Sequence, residues 1–158
     1  VRMQQRMIDH QMGQDDISKL LERAKVATIA TVNDDGTPYV TPVHYACLDG
    51  RIYFHGLGKG QKMGNIAARP DVSMTVWEMD SLIIEGETPC NVNTGYGSVV
   101  ISGRAVIVED MAEKEAREFG DREIHQGITV SDVAAVASVR NTAVVRVDPE
   151  RVTGKTYP

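Results

Sequence analysis

Apolar positions change period several times along the chain, and each change marks an element. Ile17, Leu20, Leu21 and Ala24 recur at i, i+3, i+4 and i+7, which predicts a short helix from a cap at Asp15 or Asp16 to Lys25. Val26 to Val32 is β-branched and stops at Asn33-Asp34-Asp35-Gly36, a strong turn signal. Pro38 to Ala46 reads as the return strand, with Tyr39, Thr41, Val43 and Tyr45 alternating against Val40, Pro42 and His44. A tight turn at Leu48-Asp49-Gly50 leads into a third strand, Arg51 to His55, which completes an antiparallel meander.

The glycine-rich stretch Gly56-Leu57-Gly58-Lys59-Gly60 precedes a short helix over Gln61 to Ala68, whose apolar face is Met63, Ile66 and Ala67 and which ends at Arg69-Pro70. Asp71 to Trp77 is a fourth strand. Glu78 to Thr94 shows no clear period and reads as a long loop with an extended segment at Ser81 to Glu85. Tyr96 to Val108 is the longest strand pattern, and Gly103 inside it signals a bulge or bend. Asp110 and Glu113 form a capping box for a helix beginning near Met111. A second helical patch covers Ser131 to Val139, and Thr142 to Val147 is the last strand. Residues 1–14 form an irregular arm. Without an internal repeat or a linker, residues 1–158 make a single domain: mainly β, a small antiparallel barrel of about six strands with short helices in the connections.

Composition sharpens this picture. The 158 residues are 42% hydrophobic and 25% charged, too apolar for a disordered chain, and no apolar run approaches a membrane span. With two Phe and one Trp, the core must be built from Val, Ile, Leu and Met, which suits stacked branched side chains in a small barrel. No signal peptide is visible, and two cysteines, Cys47 and Cys90, are too few for a disulfide scaffold, so a reducing cytoplasm is the expected setting. A net charge of −5 argues against a nucleic-acid partner over the whole surface.

Arg51 to Arg69 carries the chemistry: strand, glycine-rich turn, then helix. Lys59 and Lys62 stand at the helix N-terminus, where a cation is unfavourable by about 0.3–1 kcal/mol unless an anion lies between them. A phosphate would accept from the amides near Gly60 and Gln61 and pair with both ammonium groups. The plainer alternative is two solvated lysines and a permissive turn. The spacing fits neither a Walker loop, because Gly58-Lys59 is followed by Gly60, nor the dinucleotide fingerprint. His44 and His55 end adjacent strands near Cys47, but the spacing gives little support for a metal site. No Gly-x-Ser-x-Gly elbow is present. Tyr96 and Ser98 open the long strand and either hydrogen-bond a planar ligand or flank a barrel rim.

Ala24 to Val32 followed by Asp35 to Val43 resembles the opening hairpin of the FMN-binding split-barrel proteins related to pyridoxamine 5′-phosphate oxidase. Ile52-Tyr-Phe-His-Gly56, Lys59-Gly-x-Lys62, Tyr96 to Gly103, Val108-Glu-Asp110 and Val152-Thr-Gly-Lys155 resemble its nitroimidazole-resistance (Nim-like) branch. The resemblance implies a split barrel and a homodimer with one FMN in each of two interface clefts. It implies that Lys59, Gly60, Gln61 and Lys62 hold the flavin phosphate, and that Thr41, Pro42, Val43 and His44 run beside the ring and ribityl chain. Phe54 and His55 would lie on the neighbouring strand, and Tyr96 and Ser98 would line the cleft. The implied activity is two-electron transfer through flavin N5 to or from a small molecule, as in nitroaromatic reduction. His55 would be the catalytic proton donor or substrate-orienting group. The ending Gly154-Lys-Thr-Tyr-Pro158 does not match the substrate-binding terminus of the pyridoxal-forming oxidases. A haem or deazaflavin cofactor on the same fold, or a flavin- or ligand-binding protein without turnover, are the alternatives.

Overall fold

Helix α1 (Gln14–Arg23) lays Ile17, Leu20 and Leu21 into the core in the computed structural model of the chain, which describes residues 8–84, 92–109 and 142–157. Its N-cap is Gly13, with no side-chain cap, rather than Asp15 or Asp16. Those two carboxylates lie in the first turn instead, where they complement the macrodipole, and Arg23 does the same in the last turn.

Seven strands follow: β1 (Val26–Val32), β2 (Pro38–His44), β3 (Ala46–Leu48), β4 (Arg51–Leu57), β5 (Asp71–Ile84), β6 (Val92–Ile107) and β7 (Thr142–Tyr157), with α2 (Gln61–Ala68) between β4 and β5. They form one sheet in the order β2-β1-β5-β6-β7-β4-β3, every neighbouring pair antiparallel. The sheet curls until β2 approaches β4 with no ladder between them among the described residues, so the barrel is split there rather than closed. The inward faces of all the long strands, with Met63 and Ile66 of α2, enclose a core of branched aliphatics. No described helix is long and apolar enough to cross a membrane.

Three strand boundaries differ from the sequence pattern, each for a local reason. The return strand stops at His44 because Tyr45 turns inward: its hydroxyl donates to the Leu21 carbonyl at 2.8 Å, and its amide donates to the Lys25 carbonyl. Ala46 to Leu48 then pair with β4 instead of β1, which supplies the extra strand. The stretch read as a loop from Glu78 to Thr94 is largely sheet, because β5 runs to Ile84 and β6 starts at Val92. A bulge beside Met79 and Ser81 and a run of exposed apolar residues hide its alternation. Strand β7 continues ten residues past Val147 through Asp148-Pro149. Proline is tolerated because the register shifts there, opposite Ser102 and Gly103. Gly103 is required at this bulge, since a Cβ would run into the Asp148 carbonyl oxygen. The helices expected near Met111 and over Ser131 to Val139, and residues 1–7 of the N-terminal arm, lie outside the described residues.

Candidate functional site

Strand β4 delivers the chain to a turn whose last residue, Gly60, has φ 118°, a conformation that favours glycine. Gly60 is the N-cap of α2, and its carbonyl accepts the first helical bond from the Gly64 amide at 3.0 Å. No side chain caps this terminus. The amides of Gln61, Lys62 and Met63 therefore have no partner inside the helix and carry its positive end.

Lys62 stands at that terminus with its Nζ 5.1 Å from the centroid of the buried Phe54 ring. The ammonium is half-buried, and burial pushes its pKa below the usual lysine range. Among the described residues no carboxylate lies within ion-pair distance of it. Partly desolvated ammonium groups ordinarily find a counter-charge, so the position favours an anionic ligand. On β2, the Thr41 hydroxyl oxygen is buried without a hydrogen-bond partner among the described residues. Thr41 shares its face of β2 with Val43, which is buried in the same cluster as Phe54, Met63 and Ile66. The half-buried ammonium and three open amides fit a phosphate monoester, and the orphan Thr41 hydroxyl on β2 fits a hydrogen-bonding ligand body. Lys59 is exposed on the turn.

The Gln61 side chain is engaged elsewhere. Its Nε2 donates to Asn33 Oδ1 at 2.9 Å, leaving its backbone amide for a ligand. Asn65, one turn later and only 7% exposed, donates from Nδ2 to the same Asn33 oxygen at 2.8 Å and to Thr31 Oγ1 at 3.1 Å. Thr31 in turn donates to the Tyr39 carbonyl at 3.3 Å. The sequence reading missed this network. Its visible signal was an Asn, a poor helix former, directly before the apolar Ile66 in a short helix.

Three further candidates are exposed on their strands. Pro42 and His44 point to the exposed face of β2, and His55 is exposed on the face of β4 opposite Phe54. Among the described residues no three His, Cys, Asp or Glu side chains cluster as metal ligands would. Burial pushes the Cys47 thiol up, which keeps it protonated and unreactive near neutral pH. Cys90 lies outside the described residues.

Tyr96 and Ser98 lie farther away. Ser98 pairs with Trp77 and Lys155, while Tyr96 pairs with Met79 and Tyr157. Phe54 connects through Val145 to Ile107, which is nine residues further along β6 than Ser98. At about 3.3 Å per residue, that is roughly 30 Å along the strand. One chain thus carries two surfaces, the Lys62 corner and a Tyr96–Ser98 face where Lys155 Nζ stands 5.8 Å over the Tyr96 ring. That second face continues into exposed apolar residues, with Trp77 60% and Met79 56% exposed and Val26 and Val100 beside them.

Comparison with known proteins supports the same frame. Among solved structures, a candidate 5-nitroimidazole antibiotic resistance protein from Bacteroides thetaiotaomicron superposes with TM-score 0.79 at 20% identity, covering 92% of this chain and 85% of that one. A FAD-binding protein from Mesorhizobium loti gives TM-score 0.70 at 23% identity over 94% and 97% of the two chains. A flavocytochrome from Azotobacter vinelandii gives 0.74 at 24% identity over 92% and 68%. These likenesses establish the split-barrel fold. No curated protein matches. A family model described as pyridoxamine 5′-phosphate oxidase matches residues 13–156, nearly the whole chain, and the protein belongs to that family.

Proposed function

We propose that the protein is an FMN-binding oxidoreductase that acts as a homodimer, each cleft formed by the Lys62 corner of one chain and the Tyr96–Ser98 face of its partner. The observation that carries the proposal is Lys62: a half-buried ammonium with no carboxylate within ion-pair distance among the described residues, at an uncapped helix N-terminus. Flavin-binding structural neighbours support the cofactor class. The separation of the two candidate surfaces on one chain, together with the exposed apolar residues beside the Tyr96–Ser98 face, supports completion by a second copy.

When bound, FMN supplies the two-electron chemistry at its N5. The chain supplies the rest. Lys62 and the amides of Gln61 and Lys62 hold the phosphate, with Lys59 adding charge at the rim. Thr41 offers its hydroxyl to the bound molecule, and Pro42, Val43 and His44 flank its body along β2. His55, exposed on the face of β4 opposite Phe54, is the proposed group that orients the small-molecule substrate or holds a proton for it. Tyr96 and Ser98 of the partner close the cleft and exclude water. Nitroaromatic reduction is the proposed reaction class, and a cytoplasmic setting suits the two cysteines.

Titrating flavin-free protein with FMN, with light scattering on the same sample, tests the proposal. The expected result is a dimer binding one FMN per chain, with nitro-compound reduction under a chemical or nicotinamide donor. His55→Ala is expected to keep FMN and lose most turnover. Full turnover in that variant would remove His55 from its role, and bound FMN without turnover under any donor would leave a flavin-binding protein rather than an enzyme.

A further inference from the structure

Asn65 is costly where it stands. It is buried at the edge of the face that α2 turns to the barrel, about 100° round the helix from Ile66, it has poor helix propensity, and its amide is withdrawn from water. An apolar residue there would hold the helix to the barrel at lower cost. Burial of Met63 and Ile66 alone, however, leaves a helix of eight residues free to rotate or slide by a fraction of a turn. The Asn65 amide removes that freedom. Its two donated bonds, to Thr31 Oγ1 and Asn33 Oδ1, run to the end of β1 and the turn after it, and Gln61 adds a third bond to the same Asn33 oxygen from the first turn of α2. Asn33 is itself fixed, because its amide nitrogen donates to the Thr37 carbonyl and its Nδ2 to Thr37 Oγ1. Arg69 ties the other end of α2 to Asp34 at 2.8 Å, but as an exposed ion pair it constrains little.

We infer that Asn65 is a positioning residue, whose bonds to Thr31 and Asn33 fix the rotation of α2 so that the Gln61–Met63 amides and the Lys62 ammonium converge on one point. This gives the site its preference for a phosphorylated over an unphosphorylated ligand. The inference rests on the flavin reading above and adds to it the residue that sets phosphate discrimination.

The test compares FMN with riboflavin, which share a ring and ribityl chain and differ in the phosphate. In the 158-residue chain, Asn65→Ala is expected to weaken FMN by about tenfold or more while riboflavin stays within about twofold. Gln61→Ala breaks the exposed part of the same link without endangering the fold, and is expected to weaken FMN selectively by about threefold. Arg69→Ala serves as the control for helix docking alone, with an unchanged FMN-to-riboflavin ratio. An equal loss for both ligands in Asn65→Ala, or an unchanged ratio, overturns the inference and leaves Asn65 a structural residue. If Asn65→Ala does not fold, the ratio in Gln61→Ala decides, and an unchanged ratio overturns it. A wild-type protein that binds neither ligand removes the flavin reading itself, and this inference with it.

Discussion

Replacing Lys62 with Met separates the anion-site account from a purely structural one. Methionine keeps an unbranched chain over the Phe54 ring and removes only the charge. A charge-assisted hydrogen bond from a partly desolvated ammonium is worth about 1.5–3 kcal/mol, so FMN affinity should fall by about 10- to 150-fold. Binding should not vanish, because the α2 amides and the Thr41 hydroxyl remain. Riboflavin affinity should hardly change. Stability should hold or rise, since burial already pushes the Lys62 pKa down and no carboxylate among the described residues offsets that cost. Lys59→Ala, at an exposed position, should cost under about 1 kcal/mol, or about fivefold. The assay is flavin fluorescence quenching for each variant, paired with a thermal melt. Equal losses of FMN and riboflavin, or unchanged FMN affinity in Lys62→Met, would refute the reasoning.

The outer sheet face predicts that Trp77→Arg, at a 60% exposed position, gives monomers by light scattering and loses FMN affinity in parallel; a dimer with normal affinity would move the interface elsewhere. Gly103→Ala should lower Tm by several degrees, because its Cβ meets the Asp148 carbonyl and lies 3.0 Å from Pro149 Cα, an overpacking cost of about 1–3 kcal/mol. Gly64→Ala, inside α2 with nothing within 4 Å of its Cβ, should raise Tm. Stability should fall with alkaline pH. Burial holds the Cys47 thiol and, more strongly, the Tyr45 phenol above their ordinary ranges. Each group therefore contributes stability below its unfolded pKa, of about 8.5 and about 10, which is lost as pH rises toward the folded value. Urea melts from pH 7 to 11 should show the decline, and Tyr45→Phe should remove much of its upper part.

The barrel was legible wherever period and turn chemistry agreed. Helix α2 runs over Gln61–Ala68, as its spacing and the following Arg69-Pro70 predict. The alternation along β2 separates Thr41 and Val43 from Pro42 and His44, and the structure turns the first pair inward and the second to the exposed face. Legibility failed where tertiary contacts override local pattern. Tyr45 breaks a strand for the sake of a carbonyl on α1, and Pro149 sits within a strand because a bulge opposite Gly103 accepts it. The β5–β6 arm exposes Met79, Leu82 and Ile84, so it shows no inward period to detect. At the site, the two misplaced lysines and the glycine turn were readable from helix electrostatics alone. The division of the candidates between two distant surfaces was not, because sequence spacing carries no ladder register. The Asn65 network was equally hidden, since its partners are 32 and 34 residues away.

The most direct test of the central claim is the visible absorption spectrum of the purified protein, followed by heat release and identification of the chromophore. The account predicts flavin bands and release of one FMN per chain. A colourless protein that takes up no added FMN would contradict it.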